Sequence, residues 1–207
     1  MAPSAPSATS ETRALLRGQL ARARVGIVGL GGLGSNVAWM LARSGVGTLV
    51  LADHDVVDET NLDRQFYFTD QVGLPKSEAL AANLRRITDD VTLELHQVLV
   101  DESNLGRIFA GVDVFVEAAD TAENKAMLVA VASDQLPEVP IVSASGLAGY
   151  GSSNEIVTRD LAGGMWMIGD LTSEACAERP LFASRVTIAA AHEAHMVVRL
   201  LLGCTEA

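Results

Sequence analysis

From about position 24 onward, apolar residues fall into two patterns: short unbroken runs, and longer stretches in which they recur every three or four positions. RVGIV (24–28) is an unbroken run ended by Gly29, and LGSNVAWMLARSG (33–45) follows at helical spacing with Gly45 as its C-terminal cap. TLVLAD (48–53) is again β-branched and apolar, so the segment predicts a strand, a tight turn, a helix and a second, parallel strand. The alternation continues with a helix at 76–87, a strand at 91–100, a short helix at 102–109, a strand at 112–119, a helix at 122–134 and a strand at 140–145. Unbroken apolar strands between helices imply a parallel sheet covered on both faces, with ligands gathering at the carboxyl ends of its strands.

Past residue 145 the pattern changes. GYGSSNEIVTRD and GGMWMIGD predict short antiparallel strands joined by Gly-rich turns. VTIAAAHEAHMVVRLLLG (186–203) predicts a long closing helix, with His192 and His195 sharing a face at a helix interface. The expected fold class is α/β: a Rossmann-like, mainly parallel sheet with helices on both faces, then a short antiparallel section and a long C-terminal helix. Trp39 and Met40 are read as core. MAPSAPSATS (1–10) has no apolar period and reads as a disordered lead-in, leaving residues 11–207 as a single domain.

Composition narrows the function classes. At 207 residues and 49% hydrophobic content the chain can bury a sizeable core. A formal net charge of −11 argues against general attraction to nucleic acid or to anionic membranes. No apolar run approaches the ~20 residues that span a bilayer, and the first residues lack the layout of a secretory leader. Two cysteines, Cys176 and Cys204, are too few for a disulfide framework or a four-Cys zinc site, which fits a reducing cytoplasmic setting.

The candidate chemistry gathers after the first strand. In GLGGLG, Gly29, Gly31 and Gly34 hold the G-x-G-x-x-G positions, with Gly32 between them. The first permits a sharp turn, the second lets backbone approach a phosphate, and the third lets helix pack on strand. Such a turn serves NAD, FAD, S-adenosylmethionine or ATP. Asp53 and Asp55, at the end of the second strand, are both candidates for the ribose hydroxyls. Asn61, Arg64 and Gln65 in NLDRQ follow, and Lys76 opens the next helix. An Arg and a Lys brought to that strand-end crevice suit a triphosphate losing pyrophosphate, a clamp that hydride transfer does not need. Asp120, just past the strand at 112–119, is placed either to hold Mg²⁺ against phosphate oxygens or to N-cap the following helix.

With these residues collected, the sequence resembles the ThiF/MoeB family, adenylyltransferases related to ubiquitin-activating enzymes. GLGGLGSN, GVGTLVLADHDVVDETNLDRQ, GLPKSEAL and EAADTAENK carry the resemblance, and VSASGLAGYGSSNEI and the closing helix extend it to roughly residues 12–204. The compact, thiamine-associated ThiF-like branch is the most similar. The resemblance implies Mg-ATP-dependent adenylylation of the C-terminal Gly-Gly carboxylate of a small ubiquitin-like, ThiS-like sulfur carrier protein, by a homodimer. It further implies that Gly31 approaches the phosphates and that Asp55 holds the ribose with Asp53 in support. Asn61, Arg64 and Lys76 would contact phosphates with Gln65 nearby, and Asp120 would hold Mg²⁺. Arg64, Lys76 and Asp120 are thus the expected catalytic residues. No general base is needed, because a C-terminal carboxylate is already ionised at neutral pH.

Three departures from the family pattern shape further expectations. There are no C-x-x-C pairs, so no zinc is expected. The N-terminal Arg motif that longer relatives present to the neighbouring subunit's ATP is missing, leaving Arg13, Arg17, Arg22 and Arg24 as candidates to reach ATP. No sulfurtransferase domain follows, so a separate protein would donate sulfur. Cys176 lies where some relatives place a carrier-bonding cysteine, although an ordinary loop cysteine is the alternative; a lowered thiol pKa would have to come from Arg179. The competing readings are an NAD-dependent oxidoreductase and a non-catalytic nucleotide-binding scaffold for a carrier.

Overall fold

Each unbroken apolar run forms a strand and each periodic stretch a helix in the computed structural model, which describes residues 8–207. The order is α1 (Ala8–Leu20), β1 (Arg24–Val28), α2 (Gly32–Ser44), β2 (Thr48–Ala52), α3 (Lys76–Arg85), β3 (Thr92–His96), α4 (Leu105–Ile108), β4 (Val114–Glu117), α5 (Ala122–Gln135), β5 (Ile141–Ala144), β6 (Val157–Asp160), β7 (Met165–Gly169) and α6 (Ala183–Leu201). Residues 1–7 of the expected lead-in lie outside the described residues. Its last positions, 8–10, instead belong to α1.

The strands make one seven-stranded sheet in the order β3-β2-β1-β4-β5-β7-β6. All neighbours are parallel except β6, which runs antiparallel to β7. The register places Ile27 of β1 between Leu51 of β2 and Val116 of β4. Side chains alternate between two buried layers. Val25, Ile27, Leu49, Leu51, Val114 and Val116 pack with α2, α3 and α6, whereas Val28, Val50, Ala52 and Phe115 pack with α4 and α5. Burial on both faces explains why these strands read as continuous apolar runs. In the second layer Phe109 meets Phe115 edge-to-face at 4.9 Å.

Local chemistry sets the ends of the elements. Gly45 takes φ +92° and donates its N–H to the carbonyls of Leu41 and Ala42, closing α2 in a left-handed cap. Two elements depart from their sequence-based bounds. β3 stops at His96, and residues 98–100 leave the sheet to border the cleft described below. The expected antiparallel section is the hairpin of β6 and β7, and it joins the main sheet because β7 pairs in parallel with β5. Helix α6 starts at Ala183, which buries Arg185 in its first turn. Its Ala189, Ala190 and Ala194 are buried against the sheet and α2, small side chains that allow close approach. Of the two expected interface histidines, His192 is half-buried with Nδ1 3.2 Å from Thr158 Oγ1, whereas His195 is exposed.

Candidate active site

The sheet has its topological switch between β1 and β4, and the turns after their carboxyl ends diverge to open a crevice. Gly29 turns there at φ +82°, and a Cβ on it would lie 2.6 Å from the Ala118 carbonyl oxygen. A Cβ on Gly34 would overlap the Gly29 carbonyl, so α2 packs directly on the turn. Gly31 is open: the nearest atom to its would-be Cβ is Gln65 Nε2 at 3.6 Å. Gly31 also caps α2 without a side-chain acceptor, leaving first-turn N–H groups toward the crevice.

Asp53 builds the floor. Its carboxylate accepts from the Leu30 N–H at 2.6 Å and from the Asp55 N–H at 2.8 Å, tying the Gly turn to the end of β2. Tyr67 donates to the Leu30 carbonyl at 2.8 Å. Burial, reinforced by the charges of Asp53 and Asp55, pushes its phenol far above the ordinary range and keeps it a donor. Lys76 is buried at the start of α3, with Nζ 2.8 Å from Asp55 Oδ2 and 4.0 Å from Asp53 Oδ2. Burial works to raise the Asp55 carboxyl, but the Lys76 hydrogen bond and the charges of Lys76 and His54 outweigh it and hold it below its usual value.

The segment between β2 and α3 folds over this floor. Asp58 caps a short 3-10 turn by accepting from Thr60 N–H at 2.8 Å, and Asn61 Oδ1 accepts from the Asp58 N–H at 3.3 Å. Arg64 donates from Nη1 to Asp63 at 2.7 Å and to the Thr60 carbonyl at 3.1 Å. Gln65 Oε1 is buried without a hydrogen-bond partner among the described residues. On the opposite wall Asp120 is exposed, and neither a hydrogen bond nor an ion pair holds it among the described residues. The N-cap of α5 is Thr121, whose hydroxyl accepts from Asn124 N–H at 3.3 Å, so that role does not consume the Asp120 carboxylate.

Together these groups border one cleft of about 870 Å³, in the range of small-molecule sites. Gly29, Gly31, Gly32, Asp53, Asp55, Asn61, Arg64, Gln65, Lys76 and Asp120 all line it. Gly34 lies behind the turn, and Cys176 sits one residue past the lining residue Ala175. Cys176 is exposed, and its backbone pairs with that of Arg179 through N–H to carbonyl hydrogen bonds of 3.3 and 3.1 Å. None of Arg13, Arg17, Arg22 and Arg24 lines the cleft, and Arg24 is committed to a two-pronged pair with Glu94.

Two groups escaped the sequence reading. Glu117, fully buried at the end of β4, accepts from Lys125 Nζ at 2.5 Å, Ser143 Oγ at 2.6 Å and Ala119 N–H at 2.7 Å. Lys125 also lines the cleft. A lone Glu closing the apolar run VFVE was the available signal. Arg185, buried in α6, donates to the carbonyls of Gly151 and Ser152 and to Asp170 at 2.8, 3.0 and 2.6 Å, tying together loops that form the far wall.

Comparison with known proteins accords with this architecture. The chain is 43% identical over 113 residues to a SAMP-activating enzyme of Haloferax volcanii, covering 54% of this chain and 42% of that protein. It is 33% identical over 144 residues to the tRNA threonylcarbamoyladenosine dehydratase of Escherichia coli, covering 69% of this chain and 53% of that protein. The chain thus spans about half the length of these relatives. The crystal structure of the Escherichia coli dehydratase in complex with ATP superposes with a TM-score of 0.83 at 21% identity, covering 96% of this chain and 97% of that one. The ThiF family model matches residues 8–207, and the chain belongs to the ThiF family.

Proposed function

We propose that this chain adenylylates the C-terminal Gly-Gly carboxylate of a small ubiquitin-like sulfur carrier protein at the expense of ATP. The observation that carries the reading is the meeting, in one cleft, of an open Gly31 turn, the cations Arg64 and Lys76, and the unengaged carboxylate of Asp120. In the reaction a carboxylate oxygen attacks the α-phosphorus of ATP and the bond to the bridging oxygen of the β-phosphate breaks. An acyl adenylate forms, and pyrophosphate leaves with the electron pair. The first-turn N–H groups of α2 face the phosphates, while Arg64 and Lys76 draw off the charge that grows on the leaving group. Asp55 and Asp53, at the end of β2, serve the ribose. Asp120 fits Mg²⁺, a cation that takes one or two protein carboxylates and completes its shell with phosphate oxygens and water. Bound there, Mg²⁺ would neutralise phosphate charge. The same reading includes a single catalytic domain over residues 11–207, a homodimer, a cytoplasmic setting, a separate sulfur donor and a place in thiamine biosynthesis. No helix among the described residues is long and apolar enough to cross a membrane.

A second reading draws on the 33% identity to the tRNA threonylcarbamoyladenosine dehydratase: dehydration of a threonylcarbamoyladenosine carried on tRNA. The net charge of −11 favours a protein substrate over a polyanion. An NAD enzyme would have no need of both Arg64 and Lys76 on one cleft.

ATP–pyrophosphate exchange with Gly-Gly-ending carriers tests the proposal. The expected result is carrier-dependent exchange that falls by about 10²-fold or more in Arg64→Ala and Asp120→Ala. Absence of exchange with every such carrier would refute it.

A further inference from the structure

Helix α5 opens on a sequence that places a carboxylate and an ammonium where side chains ordinarily meet. Thr121 is the N-cap, so Asp120 stands one position before the cap and Lys125 is the fourth helical residue. Apolar side chains at these two positions pack on each other in many helices, because the entering chain crosses over the first turn. Asp120 and Lys125 have opposite charges, and both line the cleft. By sequence position alone they would pair.

In the fold Lys125 turns to a different partner. Its Nζ lies 2.5 Å from Glu117 Oε2, and among the described residues neither an ion pair nor a hydrogen bond holds Asp120. Glu117 is fixed from two sides. The parallel register of β4 and β5 sets it beside Ser143, whose hydroxyl donates to Oε2 at 2.6 Å, and the Ala119 N–H donates to Oε1 at 2.7 Å. The Glu117 carboxylate is wholly buried and the Lys125 side chain is 18% exposed, so water screens their attraction little. Asp120 is exposed, where the same pairing would be screened. A cation in the first turn opposes the helix dipole, and a buried carboxylate is unfavourable without partners. The chain keeps both groups, and their pairing leaves Asp120 free.

We propose that Glu117 is a positioning residue for the cation site: it holds Lys125 away from Asp120 and so keeps that carboxylate open to Mg²⁺. This rests on the reading of Asp120 as the metal carboxylate of an adenylylating cleft. Mg²⁺ takes only one or two protein carboxylates beside phosphate oxygens and water, so an ammonium seated on Asp120 would compete with it directly. Glu117 does not itself line the cleft, and it acts through Lys125, which does. Removing the Glu117 charge is therefore expected to weaken the response to metal and to spare the binding of metal-free nucleotide.

Calorimetry with α,β-methylene-ATP, whose α–β linkage resists cleavage, reads both quantities without turnover when the full chain is titrated with and without Mg²⁺. In Glu117→Gln the amide oxygen still accepts from the Ala119 N–H, while Lys125 loses its counter-charge. The Mg²⁺ concentration giving half of the metal-dependent tightening should rise about 10-fold or more, with metal-free binding within about twofold of wild type. Glu117→Gln/Lys125→Met removes the competing ammonium as well, and should bring the Mg²⁺ response back to within about threefold of wild type. A merely structural role for Glu117 would give no such recovery. Glu117→Asp keeps the charge but falls one methylene short of Lys125; it should lose part of the response, and it decides the question where melting curves show that Glu117→Gln does not fold. No Mg²⁺ response in the wild type, an unchanged response in both Glu117 variants, an equal loss of metal-free binding, or no recovery in the double variant would overturn the proposal. The expected Mg²⁺ pattern in a chain that shows no carrier-dependent exchange would overturn adenylylation and leave the role of Glu117 standing.

Discussion

Glu193 of α6 is fully buried, and both its carboxylate oxygens lack a hydrogen-bond partner among the described residues. Burial pushes its carboxyl well above the ordinary value of 4.5, with the charge of Lys125 opposing and that of Glu117 adding to the rise. The folded chain therefore keeps this proton at pH values where the unfolded chain has released it. Below pH 4.5 both states are protonated and the residue adds no pH dependence; as pH rises past 4.5 the unfolded state gains, and stability falls. Glu193→Met removes the mismatch at similar volume, and should raise unfolding free energy at pH 7 by about 1–3 kcal/mol. Denaturant titrations of both proteins from pH 4 to 8 check this, and the gain should shrink toward the acid end. Asp170 has the opposite sign. Burial works to raise its carboxyl, but the Thr172 and Ser173 N–H groups, the Ser173 hydroxyl and Arg185 together hold it well below 3.8. Its contribution is present above pH 3.8 and is lost as the medium is acidified below that. Arg185→Met leaves this carboxylate and two loop carbonyls without their cation, and is expected to cost about 3–5 kcal/mol by the same titration.

The unit of β1, the Gly turn and α2 couples packing to the site. Because a Cβ on Gly34 would overlap the Gly29 carbonyl, Gly34→Ala must lift α2 off the turn, moving its first-turn N–H groups away from the cleft. The expected result is loss of ATP binding by calorimetry and at least about 2 kcal/mol of destabilisation. A Cβ on Gly31 meets nothing closer than 3.6 Å, so Gly31→Ala should fold normally while weakening ATP binding, since the methyl occupies space facing the cleft. This unit was legible in the sequence because its signals are local: an unbroken strand, glycines at fixed offsets, and an acidic pair one strand later. Lys76 and Asp120 were legible as cleft residues for a related reason, since one opens a helix and the other follows a strand end, whereas Arg64 was legible only through its place in NLDRQ, in the connection between β2 and α3. What the sequence concealed depends on pairing at a distance. Lys125 looked like one more helix cation, and only the fold brings Glu117 beneath it with Ser143 from the neighbouring strand. Likewise, a hairpin signal in β6 and β7 fixes their mutual direction but not that β7 will lie beside β5. The early end of β3 follows from the path of the next residues, where Val98 and Val100 pack against the α4 and α5 layer while Leu99 is exposed.

Across the whole molecule, 26 acidic residues outnumber 15 basic ones, yet Arg64, Lys76 and Lys125 converge on a single cleft. Such a distribution repels extended polyanions over most of the surface and admits one compact anion where backbone N–H groups and cations coincide. NAD and ATP share the adenosine that the end of β2 would serve, so they differ here chiefly in what they offer to Arg64 and Lys76. Ligand-linked stability separates them, because a ligand at 100 times its Kd adds about 2.7 kcal/mol. For a chain of this size that corresponds to a rise of roughly 5–10 °C in Tm. Mg-ATP at millimolar concentration is expected to give a shift of this order, and NAD at the same concentration none. In Lys76→Met the shift should disappear, and the unliganded Tm should fall, since the methionine refills the buried volume but leaves Asp55 and the buried Asp53 without their cation. Equal shifts with NAD and ATP, or an ATP shift surviving in Lys76→Met, would remove the triphosphate clamp on which adenylylation by this cleft depends.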